Sequence, residues 1–237
     1  MKKFKKNLLK IIAVIVILCL IGAVAFYVYA LNYMKADSIA MNIAEDVYVK
    51  DGNYLMPGFE SGELYEKNIG IIFYPGAKVE AAAYLPLFDE LRLKGVNCIV
   101  VSMPLRFAFF DTDKADDMYE EFPEVEHWYI SGHSLGGAMA SSYASNNQDK
   151  VEGLILIGAY VYGDYPKDKA LVIYGSNDLG LDRDKIYTES TNVEIIGGNH
   201  AGFGNYGVQK GDGELEITRE VQQEITVINI VKYLKNK

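Results

Sequence analysis

The sequence predicts an α/β fold in which a mainly parallel central sheet carries helices on both faces, preceded by one N-terminal transmembrane helix. Two patterns carry this expectation. From residue 69 onward, short apolar runs rich in Val, Ile and Tyr alternate with helical segments. That alternation builds parallel sheets, because each crossover helix returns the chain over one face of the sheet. Ahead of it, Ile11 to Leu31 forms 21 residues without a charge and with a single glycine. A helix of that length spans roughly 30 Å, the hydrocarbon thickness of a bilayer.

The elements follow in order. Residues 1–10 are a basic segment and residues 11–31 the span. Residues 32–67 are a polar linker with N-terminal strands, the alternation from Val47 to Leu55 reading as a strand or hairpin. The main domain then runs over residues 68–237. Its strands are expected at Ile69–Tyr74, Asn97–Ser102, Trp128–Ser131, Gly153–Ile157, Ala170–Tyr174 and Val193–Ile196. Helices are expected at Val79–Lys94, Thr112–Phe122, Leu135–Asn146 and Leu215–Leu234. Only about a dozen residues separate Ile157 from Ala170, too few for an inserted lid domain.

Charge separates the chain into two parts. The net charge is −9, yet Lys2, Lys3, Lys5, Lys6 and Lys10 precede the span with no acid among them, which leaves 18 basic against 32 acidic residues, −14, on the remainder. So acidic a body excludes nucleic acid as partner, since that affinity comes from cations placed on phosphates. The lysines set a cytosolic N-terminus and an exported body by the positive-inside rule. Val28-Tyr29-Ala30 also offers a signal-cleavage site, which would release a secreted body. The apolar stretch exceeds the usual signal core of about 7–15 residues, and this favours an anchor in the cell membrane. The two cysteines, Cys19 and Cys98, lie in unlike apolar runs and form no disulfide framework.

In open parallel sheets, chemistry gathers at the carboxyl ends of the strands. Gly132-His133-Ser134-Leu135-Gly136-Gly137 follows one such strand and opens a helix of small residues. A serine on a sharp strand-to-helix turn needs glycines two before and two after it, because side chains there collide with neighbouring backbone. A serine hydroxyl becomes nucleophilic only when a base removes its proton and a carboxylate orients that base. Of the three histidines, His127 sits at the far end of the strand, and His133 adjoins the serine as a supporting residue. His200 follows a later strand in Gly197-Gly198-Asn199-His200 and is the candidate base. The acid is expected at Asp178, with Asp182 and Asp184 as alternatives close behind. Oxyanion donors are expected at the N–H groups of Leu135 and of Ala77, the latter in Tyr74-Pro75-Gly76-Ala77.

These runs, with Phe73-Tyr74-Pro75-Gly76-Ala77-Lys78, Tyr174-Gly175-Ser176-Asn177-Asp178, Gly198-Asn199-His200-Ala201-Gly202-Phe203-Gly204 and Gly211-Asp212-Gly213, resemble the α/β-hydrolase superfamily, in particular its small capless fold-5 family. The resemblance runs from about residue 68 to the C-terminus and implies the α/β-hydrolase fold. It also implies a serine hydrolase with Ser134 as nucleophile, His200 as base and Asp178 as orienting acid. Leu179-Gly180 departs from the family's usual order, in which glycine comes first. The family lends a reaction class and no substrate.

Other signals fail their context. Gly202-Phe203-Gly204-Asn205-Tyr206-Gly207 matches a dinucleotide fingerprint but opens no helix after a first strand. The acidic run from Asp111 to Asp117 lacks the glycine and glutamate of a calcium loop, and no Cys/His cluster has zinc spacing. No cofactor and no metal are therefore expected. The aromatic residues Phe107, Phe109 and Phe110, and Tyr160, Tyr162 and Tyr165, either line a substrate pocket or belong to core and rim. The reading is an extracytoplasmic, membrane-anchored serine esterase for a small-molecule or envelope-polymer acyl substrate. Neutral or cationic esters are favoured over polyanions on so acidic a surface. The alternatives are an acyltransferase on the same triad and a catalytically silent binding protein of this fold.

Overall fold

A computed structural model describes residues 2–236, and the chain divides into two units, Met1–Tyr33 and Met34–Lys237. The first unit is built on helix α1 (Lys2–Leu31). Within it the 23 residues Leu9–Leu31, whose most apolar 18-residue stretch has mean hydropathy 3.1, are long and apolar enough to cross a membrane.

The second unit is organised on an eight-stranded sheet in the order β1-β2-β4-β3-β5-β6-β7-β8. Its strands are β1 (Tyr48–Lys50), β2 (Asn53–Met56), β3 (Ile69–Tyr74), β4 (Asn97–Val100), β5 (His127–His133), β6 (Gly153–Ile157), β7 (Ala170–Gly175) and β8 (Thr191–Ile195). The pairs β1/β2 and β2/β4 are antiparallel, and every pair from β4 to β8 is parallel. The hairpin expected near Val47 to Leu55 is thus the sheet's antiparallel edge, and the second unit takes in residues on the N-terminal side of residue 68.

Strand residues alternate between two buried layers. Ile71, Phe73, Val100, Ile155, Ile157 and Ile173 meet helices α3 (Leu85–Leu93) and α5 (Arg219–Lys235), with α2 (Ser38–Glu45) at the margin. Ile72, Ile99, Ile130, Leu154, Leu156 and Val172 face the layer that holds α4 (Leu135–Asn146). Burial on both sides explains why these strands read as unbroken apolar runs. The crossover after β3 lies on one face and that after β5 on the other. The chain order therefore reverses between β3 and β5, and a crevice opens at their carboxyl ends.

Three expectations are corrected. Thr112–Phe122 is not a helix; it holds 3₁₀ turns at Lys114–Asp117 and Tyr119–Glu121. The buried Tyr74 hydroxyl donates to the Thr112 carbonyl at 2.8 Å and accepts from the Ala115 N–H at 2.9 Å, taking backbone groups that a first helical turn would use. The helix expected from Val79 starts at Leu85 after a 3₁₀ turn, with Pro86 in its first turn. The helix expected from Leu215 starts at Arg219, where Thr218 caps the Val221 N–H. Helix α2 was not anticipated. Asp37 caps it by accepting from the Ala40 N–H at 3.1 Å.

The layered core makes a direct prediction. Leu156→Ala should cost about 2–5 kcal/mol in chemical denaturation, because it empties a fully buried site. Ile228→Ala, at a side chain 56% exposed, should stay within about 0.5 kcal/mol.

Candidate active site

Ser134 stands between β5 and α4 with φ 54° and ψ −124°. Its N–H donates to the Ile157 carbonyl at 3.0 Å, which fastens the turn to β6. A serine preceding a helix ordinarily caps it with its own hydroxyl. Here the hydroxyl makes no capping bond, because the positive φ aims it away from the helix amides. The flanking glycines are sterically required. A Cβ at Gly132 would lie 2.5 Å from the Gly136 carbonyl carbon, and one at Gly136 would lie 2.1 Å from the Tyr74 carbonyl oxygen. The elbow thus rests on the end of β3, where the Ala77 loop begins. The N–H groups of Ala77 and Leu135 donate to no acceptor among the described residues.

On the other side of β5, the loops after β7 and β8 bring Asp178 and His200 together. His200 Nδ1 donates to Asp178 Oδ2 at 2.7 Å, and Asp178 Oδ1 accepts the N–H groups of Gly180 and Leu181 at 3.0 and 3.1 Å. Both residues are buried. With Nδ1 protonated, the His200 Nε2 lone pair is left to accept a proton. Asp182 instead pairs with Lys185 at 3.0 Å, and Asp184 is exposed. Gly158, itself at φ 54°, makes room for the imidazole of His200: a Cβ there would come within 3.0 Å of His200 Nδ1 and 3.2 Å of His133 Nε2. Gly158 directly follows the Ile157 that holds Ser134, so the serine turn and the imidazole of His200 both adjoin the carboxyl end of β6, with no hydrogen bond between the two side chains among the described residues.

A buried chain of hydrogen bonds joins the two halves. His133 Nε2 lies 3.1 Å from the His200 carbonyl oxygen, which only accepts, so Nε2 carries the proton and Nδ1 is the acceptor. Tyr84 donates to that Nδ1 at 2.8 Å, and the Tyr84 oxygen accepts the Gly76 N–H at 3.2 Å. The Ala77 loop is therefore tied to the His200 loop through Tyr84 and His133. Further clamps hold His200. Asp212 accepts the N–H groups of His200 and Ala201 at 3.1 and 2.7 Å, and Gln222 exchanges two hydrogen bonds with the Asn199 backbone at 3.0 and 2.8 Å. His127, in contrast, is exposed at the other end of β5 and lies 3.9 Å from Glu152.

Sequence reasoning gave no role to Tyr84, Asp212 or Gln222. Gln222 carried a usable signal, a polar residue on the α5 stripe that also buries Thr226 and Ile230. Tyr84 carried none, because it lies in an apolar run and meets its partner 49 residues later.

Burial, and secondarily the neighbouring His200, holds the His133 pKa well below its ordinary 6.5, so the folded protein keeps it neutral. Below about pH 6.5 the unfolded chain takes up a proton that the folded chain refuses. Stability should therefore fall with decreasing pH by up to ~1.4 kcal/mol per unit from this group. His133→Asn should flatten that dependence by up to one proton in denaturant titrations between roughly pH 6.5 and 5. Equal slopes in the two proteins would show that His133 protonates as readily folded as unfolded.

Comparison with known proteins agrees with this architecture. Est1E from Butyrivibrio proteoclasticus superposes with a TM-score of 0.55 at 16% identity, covering 80% of this chain and 98% of that one. MGS-MChE2, an alpha/beta hydrolase from a sediment metagenome of the Mar Chica lagoon in Morocco, gives 0.56 at 12% identity over 80% and 98% of the two chains. A soluble variant of the monoglyceride lipase of Saccharomyces cerevisiae gives 0.55 at 12% over 80% and 93%. At these identities the likeness is one of fold. No curated protein matches the sequence. The model of the Alpha/beta hydrolase family matches residues 70–224, from the second residue of β3 into α5, and so spans both the Ser134 turn and the His200 loop. The chain belongs to the alpha/beta hydrolase family.

Proposed function

We propose that this hydrolase is a serine esterase held to a membrane by α1, with its catalytic unit on the extracytoplasmic side. The observations that carry the reading are the 2.7 Å bond between His200 and Asp178 and the turn at φ 54° that holds Ser134 against the end of β6. His200 Nε2 takes the proton of Ser134 Oγ as the oxygen attacks the ester carbonyl carbon. The developing oxyanion accepts from the N–H groups of Leu135 and Ala77. His200 then passes its proton to the departing alkoxide, and Asp178 stabilises the transient imidazolium. Water, activated by the same histidine, attacks the acyl-enzyme carbonyl and releases the acid and free Ser134.

Topology and charge refine the substrate. The five lysines ahead of the apolar span favour a cytosolic N-terminus and an exported catalytic unit. Only residues 158–169 join β6 to β7, with a single 3₁₀ turn, so no lid inserted there restricts entry. Such a site accepts esters on bulky envelope polymers as well as small molecules. The net negative charge of the body favours neutral or cationic esters.

The test is labelling by a fluorophosphonate probe alongside ester turnover. Ser134→Ala and His200→Ala should abolish labelling and lower kcat by a factor on the order of 10⁴ or more. A folded wild-type protein that neither labels nor hydrolyses any ester would overturn the reading.

A further inference from the structure

Among the described residues, six other than glycine hold a positive φ: Asp51, Asn68, Lys78, Leu105, Arg106 and Ser134. Asp51 and Asn68 belong to the residue types that tolerate this region through local hydrogen bonds. The other four do not, and all flank the site. Lys78, Leu105 and Arg106, at φ 59°, 50° and 63°, meet at one hydrogen bond, from the Lys78 N–H to the Arg106 carbonyl at 2.8 Å. Backbone strain of this kind persists only where surrounding structure enforces it, and it concentrates at functional sites.

What the strained pair delivers is the segment that follows it. Phe107 and Ala108 are buried, while Phe109 and Phe110 are 45% and 48% exposed. The Phe109 and Phe110 rings lie 4.5 Å apart at 50° and are backed by Phe107 at 5.2 and 6.3 Å. The turn Ala108–Phe110 packs on α4, and Thr112 Oγ1 lies 3.7 Å from Met139 Sδ, about one turn from the start of that helix. The aromatic surface is thus bound on one side to the Ala77 loop and on the other to the helix that Ser134 opens.

Sheet order decides which part of a substrate lies there. Asp178 and His200 follow β7 and β8, to one side of β5, whereas the Ala77 loop and the phenylalanines follow β3 and β4, to the other. The leaving alkoxide must face His200 to receive its proton and the oxyanion must face the N–H groups of Ala77 and Leu135, so the acyl group takes the remaining direction, past the Ala77 loop toward the β4 side. We infer that Phe109 and Phe110, backed by Phe107, form the acyl subsite and select an aromatic acyl group. This rests on the serine-esterase reading above. Two half-exposed rings cover one face of a ligand. A flat ring buries a whole face against them without freezing torsions, whereas an alkyl chain needs enclosing walls and loses rotamer freedom.

The test uses the full chain with ethyl esters of acetic, hexanoic and 3-phenylpropanoic acid, read by acid release, so that the leaving group is the same and not aromatic. The wild-type kcat/KM for the phenylpropanoate should exceed that for the hexanoate by about tenfold, the scale of an aromatic contact. The paired substitution Phe109→Ala with Phe110→Ala should bring that ratio near one. The pair Phe109→Leu with Phe110→Leu keeps the surface apolar and safeguards folding, and it should collapse the ratio as well. A wild type that favours the hexanoate, or a preference that survives both pairs, overturns the acyl subsite while leaving the esterase reading intact. No turnover of any ester together with no fluorophosphonate label at Ser134 overturns the esterase reading and the subsite with it.

Discussion

The site depends on one constraint, the positive φ of the residue that joins β5 to α4. With Ser134 at φ 54°, the strand passes into the helix without room for side chains at Gly132 or Gly136, and the serine hydroxyl is withheld from capping the helix. Losing a cap ordinarily costs about 0.5–2 kcal/mol. Packing supplied by the two buried layers offsets this, and the elbow is locked to β6 by the Ser134 N–H and to β3 by the contact of Gly136 with the Tyr74 carbonyl. Neighbouring strands thereby fix the place of Ser134 more firmly than its own loop would.

From that turn, order spreads to both flanks. The loop after β3 and the loop after β8 are remote in sequence, yet Tyr84 and His133 join them through bonds of 3.2, 2.8 and 3.1 Å, all buried. A neutral His133 suits this role, since one ring nitrogen accepts and the other donates. Protonation would place a second donor against the Tyr84 hydroxyl and a charge beside His200. The pKa depression of His133 is thus the electrostatic counterpart of the connection between the Ala77 loop and the His200 loop.

The sheet was legible in sequence because its central strands are buried on both faces and read as short apolar runs between turns. The places of Ser134, Asp178 and His200 were legible because each follows such a run. What stayed hidden was tertiary. Tyr84 lies 49 residues from His133, and Gln222 lies 23 residues from the Asn199 backbone it holds. The segment Thr112–Phe122 shows helical patterning, yet the Tyr74 hydroxyl draws off two of its backbone groups. The left-handed pair Leu105 and Arg106 has no compositional mark, since neither is a residue type suited to positive φ. Local propensity fails at these points because partners from other elements decide the conformation.

The central claim is that the Ser134 turn, the Ala77 loop and the His200 loop form one pre-arranged acyl-transfer site. A crystal structure of the chain after reaction with a fluorophosphonate tests this most directly. The account predicts a phosphonyl group on Ser134 Oγ, with one phosphonyl oxygen about 2.7–3.1 Å from the N–H groups of both Ala77 and Leu135. An adduct on another residue, or a Ser134 adduct whose oxygen turns away from both amides, would contradict it.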